Sequence, residues 1–196
     1  LTDYYSTAAK KMGNYFCFDS YAKAKEPLIY FHHQDESKQS IHPINGLRLF
    51  GPLEESFGAN GIVSKIQLAI IAPDTGFEKV KSHLESLLNP VSPTTEKEYL
   101  KDYPGFDAVF KKHLIIPNST QSEYVITINA KEILNYSSIQ FYELIKSKID
   151  KFALKNDSID CVTIYIPDYW KNFRELKNEN TYFDLHDSLK LYAVKK

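Results

Sequence analysis

Ile66-Gln67-Leu68-Ala69-Ile70-Ile71 is a nearly continuous apolar run closed by Pro73. A strand with one face in water alternates apolar and polar residues. A run without alternation belongs to a strand covered on both faces, the habit of parallel sheets. Behind it, Phe77, Val80, Leu84, Leu87 and Leu88 fall at helical spacing, and Asn89-Pro90 closes the pattern. Asp74 and Thr75 offer helix N-caps, and Thr75 with Glu78 fits a capping box. Residues 65–89 thus predict strand, short loop and helix, the first half of a βαβ unit.

The rest of the chain repeats that alternation. Leu114-Ile115-Ile116, Tyr124 to Ile128 and Cys161 to Ile166 are strand candidates, the first and last stopped by Pro117 and Pro167. Ser137 or Ser138 caps a helix carrying Ile139, Tyr142, Ile145, Ile149 and Phe152. A short helix is expected around Tyr169 to Leu176, then a polar loop from Lys177 to Thr181. Asp184 caps a last helix through Leu185, Leu189 and Tyr192. Strands alternating with helices predict an α/β, Rossmann-like domain: a central, mostly parallel sheet flanked by helices, built partly from residues 65–71, 124–128 and 161–166.

Three segments follow from this. Residues 65–196 form the Rossmann-like domain, residues 27–64 a linker leading into it, and residues 1–26 an aromatic and lysine-rich extension that leans on it. In the linker, Leu28-Ile29-Tyr30-Phe31 predicts a short strand, and His32 to His42 a polar loop. Gly46 to Pro52 reads as a strand bounded by glycines, and Leu53-Glu54-Glu55 leads to a loop with Gly58 and Gly61. Pro90 to Thr95 is a linker and Tyr103-Pro104-Gly105-Phe106 a turn.

Composition narrows the function classes. The chain of 196 residues carries 24 basic and 25 acidic side chains, so a nucleic-acid site must be local rather than a global positive field. Its apolar runs are far shorter than the ~20 residues of a membrane-spanning helix, and no signal peptide is visible. Cys17 and Cys161 are too few for a disulfide framework. A reducing, cytoplasmic setting without a membrane partner is the expectation. The start at Leu1 rather than Met reads as a fragment or a processed chain.

The glycine-rich phosphate loops G-x-x-x-x-G-K-[ST] and G-x-G-x-x-G are absent, as are G-x-S-x-G and H-E-x-x-H. His32 and His33 with Asp35 and Glu36 suggest a metal site. Adjacent histidines in extended chain point opposite ways, so a solvated loop is the better reading and no metal site is assigned. Cys161, in an apolar strand, reads as a core residue. The last helix is more informative. His186 and Lys190 are four residues apart, hence on one face, within two turns of a capped N-terminus that favours anions. A histidine ring can also stack on a base. The competing reading is an ordinary solvated surface pair.

The order of several segments resembles the MID region of a prokaryotic Argonaute of the short class. Glu26-Pro27-Leu28-Ile29-Tyr30-Phe31 and His42-Pro43-Ile44-Asn45-Gly46-Leu47-Arg48-Leu49-Phe50-Gly51-Pro52 resemble the lead-in to that domain. Tyr103 to Phe110 resembles its turn and helix. Val162 to Pro167, Trp170 to Arg174 and Phe183 to Lys190 resemble its strand, specificity loop and pocket helix. The likeness spans roughly residues 26–196. It implies a pocket that anchors the 5′ end of a short guide RNA or DNA, with His186 stacked on the first base and Lys190 on the phosphate. Tyr169, Trp170 and Lys171 would lie on the loop that shapes first-base preference. It also implies a complementary target strand, an effector protein partner, and a magnesium ion at the guide phosphate in the intact protein. No cofactor is expected in this chain itself. The family's next pocket residues, a Gln and a second Lys, and the catalytic carboxylates of its PIWI domain fall beyond Lys196. The resemblance therefore assigns no catalytic residue here and predicts a binding domain, not an enzyme.

Two other classes stand beside it. A Rossmann-like enzyme or small-ligand domain calls for a glycine-rich turn after the first strand, whereas Ala72-Pro73-Asp74-Thr75-Gly76 has one glycine and an acid. A protein-interaction domain docking an effector is the other.

Overall fold

The computed structural model describes residues 26–58, 64–95, 101–155, 158–178 and 181–194. The N-terminal extension before Glu26, Gly61 and part of the expected loop at 177–181 lie outside them. The central strand is β3, Lys65–Pro73, flanked earlier in the chain by a short antiparallel pair, β1 (Ile29–Tyr30) and β2 (Gln39–Ser40). Parallel to β3 run β4 (His113–Ile115), β5 (Val125–Ile128) and β6 (Cys161–Ile164).

Hydrogen bonding shows how β3 is shared. Its even-numbered groups face β4 and β5: Ser64 carbonyl accepts from His113 N–H, and Ile70 N–H donates to Tyr124 carbonyl. Its odd-numbered groups face β6: Gln67 and Ile71 carbonyls accept from Asp160 and Tyr165 N–H. Along one strand these two sets point to opposite edges, so β4 and β5 line one edge of β3 and β6 the other.

Side chains divide the same strand between two cores. Leu68, Ile70 and Ala72 pack with Phe77, Val80 and Leu84 of helix α2, Phe77–Ser86. Ala69 and Ile71 pack on the opposite face with Phe141, Ile145, Ile149 and Phe152 of helix α4, Ser138–Lys155. Leu185 and Leu189 of helix α5, Leu185–Val194, complete that second core. The chain leaves β3 toward β5 by way of α2 and returns to β6 by way of α4 on the other face. Opposite directions over opposite faces keep one handedness for both crossovers. The expected α/β arrangement, a mostly parallel sheet between helices, is thus present.

The linker differs from expectation. Gly46 to Pro52 is not a strand: Pro43–Phe50 is helix α1. Pro43 takes the first helical turn, where a missing N–H costs nothing. Gly46 is an interior glycine rather than a boundary, because a Cβ there would fall 2.0 Å from the Phe31 ring. Gly51, at φ +80, then ends the helix, its N–H donating to the Leu47 carbonyl. A 3₁₀ turn, Leu53–Phe57, and helix α3, Phe106–Phe110, complete this side, with Lys112 Nζ bridging Glu54 at 2.8 Å and Glu55 at 3.5 Å.

Three finer expectations are corrected. The Thr75–Glu78 capping box does not form; α2 starts one residue after Gly76, which gives no side-chain cap. The buried stripe of α4 runs through Phe141, while Ile139 is exposed. The short helix expected around Tyr169 to Leu176 is a 3₁₀ turn, Asp168–Phe173, and a hairpin of β7 (Glu175–Asn178) and β8 (Thr181–Asp184) follows, its strands taking in both ends of the polar loop expected at 177–181. Leu176 and Phe183 pair within it between polar neighbours, too few apolar residues to mark two strands by hydropathy.

The double burial of β3 makes a direct prediction. Ile70 is 0% exposed and sits between two paired edges. Ile70→Ala should destabilise the domain by about 2–5 kcal/mol in urea denaturation. A loss below about 1 kcal/mol would mean the site collapses freely and is not the centre of the core.

Candidate functional site

After β3 the chain turns to the α2 face, and after β6 it turns to the opposite face, where Trp170 joins the α4 core. Connections that diverge this way open a crevice at the carboxyl ends of the strands, the usual ligand position in such sheets. Asp74 N–H donates to the Ile128 carbonyl, and its Oδ1 accepts from Thr75 N–H at 2.9 Å. Thr75 Oγ1 lies 3.4 Å from the Tyr169 hydroxyl. The single glycine of this turn is no phosphate cradle. A Cβ on Gly76 would meet Pro73 Cγ at 2.8 Å and the Tyr165 ring at 3.0 Å, so Gly76 is there for close packing.

Helix α5 begins beside this edge. Leu185 N–H donates to the Arg174 carbonyl at 2.9 Å. Arg174 Nη2 in turn donates to the Ile166 carbonyl, just past β6, at 3.1 Å, and to Asp168 Oδ1 at 3.4 Å. One residue thus ties the start of α5 to the carboxyl end of β6. Asp184 Oδ1 accepts from Asp187 N–H at 2.8 Å, which is the expected N-cap. With Leu185 and Leu189 turned into the core, His186 and Lys190 are both exposed. At ~100° per residue, four residues bring the second side chain about 40° past the first, on the same face.

The charges around them are mixed. The His186 ring donates from Nδ1 to Asp187 Oδ1 at 3.0 Å, a contact between exposed groups that adds little stability. Among the described residues, no carboxylate pairs with Lys190. Asp184, His186 and Asp187 bring one ligand atom each within 4.8 Å of one another. The local field is negative: the Tyr182 hydroxyl is pushed up from its usual range by desolvation, then by Asp184, Glu175 and Asp187. Asp187 and Arg174 were not singled out in the sequence. Asp187 was visible as a first-turn acid beside His186, whereas nothing local marks Arg174, whose contacts span the β7–β8 hairpin.

The expected first-base loop divides. Tyr169 and Lys171 are exposed, but Trp170 is 4% exposed and meets Phe141 edge-on at 5.3 Å. Its indole is a core side chain, not a loop contact. The other candidates are also settled. His32 and His33 do not point apart; their rings stack 5.3 Å apart because the chain turns there instead of extending. His32 Nδ1 accepts from the N–H groups of Gln34 and Asp35, and His33 Nδ1 meets Ser56 Oγ at 2.9 Å. Those nitrogens are committed to the fold. Cys161 is exposed at the start of β6, not in the core, and burial with Asp160 nearby raises its thiol pKa.

The Arg174 tether predicts a local effect. Arg174→Ala should cost about 1 kcal/mol, since its contacts are charge-assisted but exposed. Amide exchange of the first turn of α5 should speed up most, while that of β3 should speed up only as far as the global loss of stability dictates. Uniform acceleration across the domain would refute a local tether. No family model matches the chain, and no curated protein matches its sequence.

Proposed function

We propose that this domain binds the 5′ end of a short nucleic-acid guide, as its resemblance to the Argonaute MID region implies. The observation that carries the reading is the paired exposure of His186 and Lys190 on one face of α5, a helix tied to the carboxyl end of β6. His186 offers a ring face to the first base. Lys190 offers a point charge to the phosphate. Tyr169, exposed at the same edge, is the remaining ring of the first-base loop. The defence role, the target strand, the effector partner and the cytoplasmic setting follow from the same resemblance and belong to the proposal.

The acids beside the pair bear on the phosphate. Asp184 and Asp187 each spend one carboxylate oxygen on a contact within the helix start, which leaves the second oxygen of each. Hard oxygen donors beside a phosphate suit magnesium, which is commonly held by one or two carboxylates together with phosphates. Asp184 and Asp187 would hold the ion that the resemblance implies, and its charge would offset their repulsion of the phosphate. His186 and Lys190 keep their roles either way.

Labelled 5′-phosphorylated and 5′-hydroxyl strands, compared in the intact protein at fixed salt, test the proposal. Lys190→Ala should remove about 1.5–3 kcal/mol from the phosphorylated strand. That is roughly a 10- to 150-fold loss. The 5′-hydroxyl strand should lose less. His186→Ala should weaken both strands, by about 1–3 kcal/mol for one stacked base. Equal weakening of both strands by Lys190→Ala, with no phosphate preference in the wild type, would reject the pocket. Magnesium supplies a separate prediction: in a chelator, phosphate preference should fall in the wild type and recover in Asp187→Asn. A preference indifferent to magnesium would remove the ion from the account.

A further inference from the structure

A cavity of about 670 Å³ lies far along the chain from α5, between α1, α3 and the turn before it. Its size falls within the ~300–1,000 Å³ of small-molecule sites. Leu47, Val109 and Phe110 supply an apolar wall. Arg48, Lys101 and Asp102 also line it, so these three give the lining one net positive charge. Arg48 is the informative residue. It is partly buried, and Asn45 Oδ1 accepts from its Nη2 at 3.1 Å and its Nε at 3.4 Å. Among the described residues, no carboxylate forms an ion pair with it. A part-buried guanidinium with only a neutral partner is a ready site for an anion, which it meets with charge-assisted hydrogen bonds. Asn45 fixes its orientation but brings no charge.

We infer that this cavity binds a small amphipathic monoanion, a carboxylate carried on an apolar body. The carboxylate pairs with Arg48, which matches its fork geometry, and the apolar body lies along Leu47 and Val109. The single excess positive charge favours a monoanion over a neutral or cationic ligand. The site is independent of the one on α5, and neither reading rests on the other.

The probes are 4-phenylbutyrate and its neutral counterpart 4-phenyl-1-butanol, titrated into methyl-labelled full chain and followed by NMR. The methyl signals of Leu47 and Val109 should shift saturably with the acid, at an affinity about tenfold above that for the alcohol. Arg48→Gln should bring the two probes within about twofold, and Arg48→Lys should keep part of the preference. Ile44, 69% exposed on the cavity lining, gives a variant that need not disturb the core. Ile44→Trp should exclude both probes while leaving the Leu68 and Ile145 signals in place. Shifts no larger than those of Leu154, 87% exposed elsewhere, would overturn the inference. So would equal affinity of acid and alcohol, or a preference that survives Arg48→Gln.

Discussion

Strand β3 is hydrogen-bonded on both edges and packed on both faces, and every other element of the domain takes its place from that fact. Pairing with Val125 and Ile126 on one side and with Thr163 and Ile164 on the other leaves Ile70 and Ile71 no exposed edge. Covering both faces requires helices on both, α2 against one and α4 with α5 against the other. Connections must then leave the sheet in opposite directions. Sheets whose connections diverge in this way usually take their ligands at the carboxyl ends of the strands.

The elements legible in the sequence were those that β3 and its neighbours bury. An unalternated apolar run, a helical stripe and a proline stop carry enough signal to place β3, α2, β5, α4, β6 and α5. What failed to read was set by distant contacts. Gly46 looks like a strand boundary until Phe31 is seen occupying the space its Cβ would need. The β7–β8 hairpin mixes polar residues with Leu176, Tyr182 and Phe183, and its pairing is backbone to backbone. His32 and His33 stack because Gln34 and Asp35 fold their amides back onto the first ring, a turn no spacing rule reveals. Trp170 lies in a segment expected to be a short helix and, by the resemblance, part of the first-base loop, yet its ring fills the core beside Phe141.

The candidate site was legible in the same partial way. Four-residue spacing placed His186 and Lys190 on one face, and burial of Leu185 and Leu189 decides that this face is outward. The tether through Arg174, which sets α5 beside the end of β6, depends on residues that the hairpin separates. The acids at the helix start are the physical tension in the site. Asp184 stabilises the N-terminus that an incoming phosphate would also use, and Asp187 holds the His186 ring. In the proposed reading Lys190, with any divalent ion the acids hold, would have to outweigh them for a phosphate to be accepted there.

In the proposed reading a guide's first nucleotide would sit against His186 and Tyr169. Placing 5-iodouracil at that position of a 5′-phosphorylated strand, irradiating the complex and mapping the cross-link by mass spectrometry reports its nearest ring directly. Cross-links are expected at His186 or Tyr169, diminished when the 5′ phosphate is removed. Cross-links confined to α1 and the β1–β2 pair, or unchanged by loss of the phosphate, would contradict it.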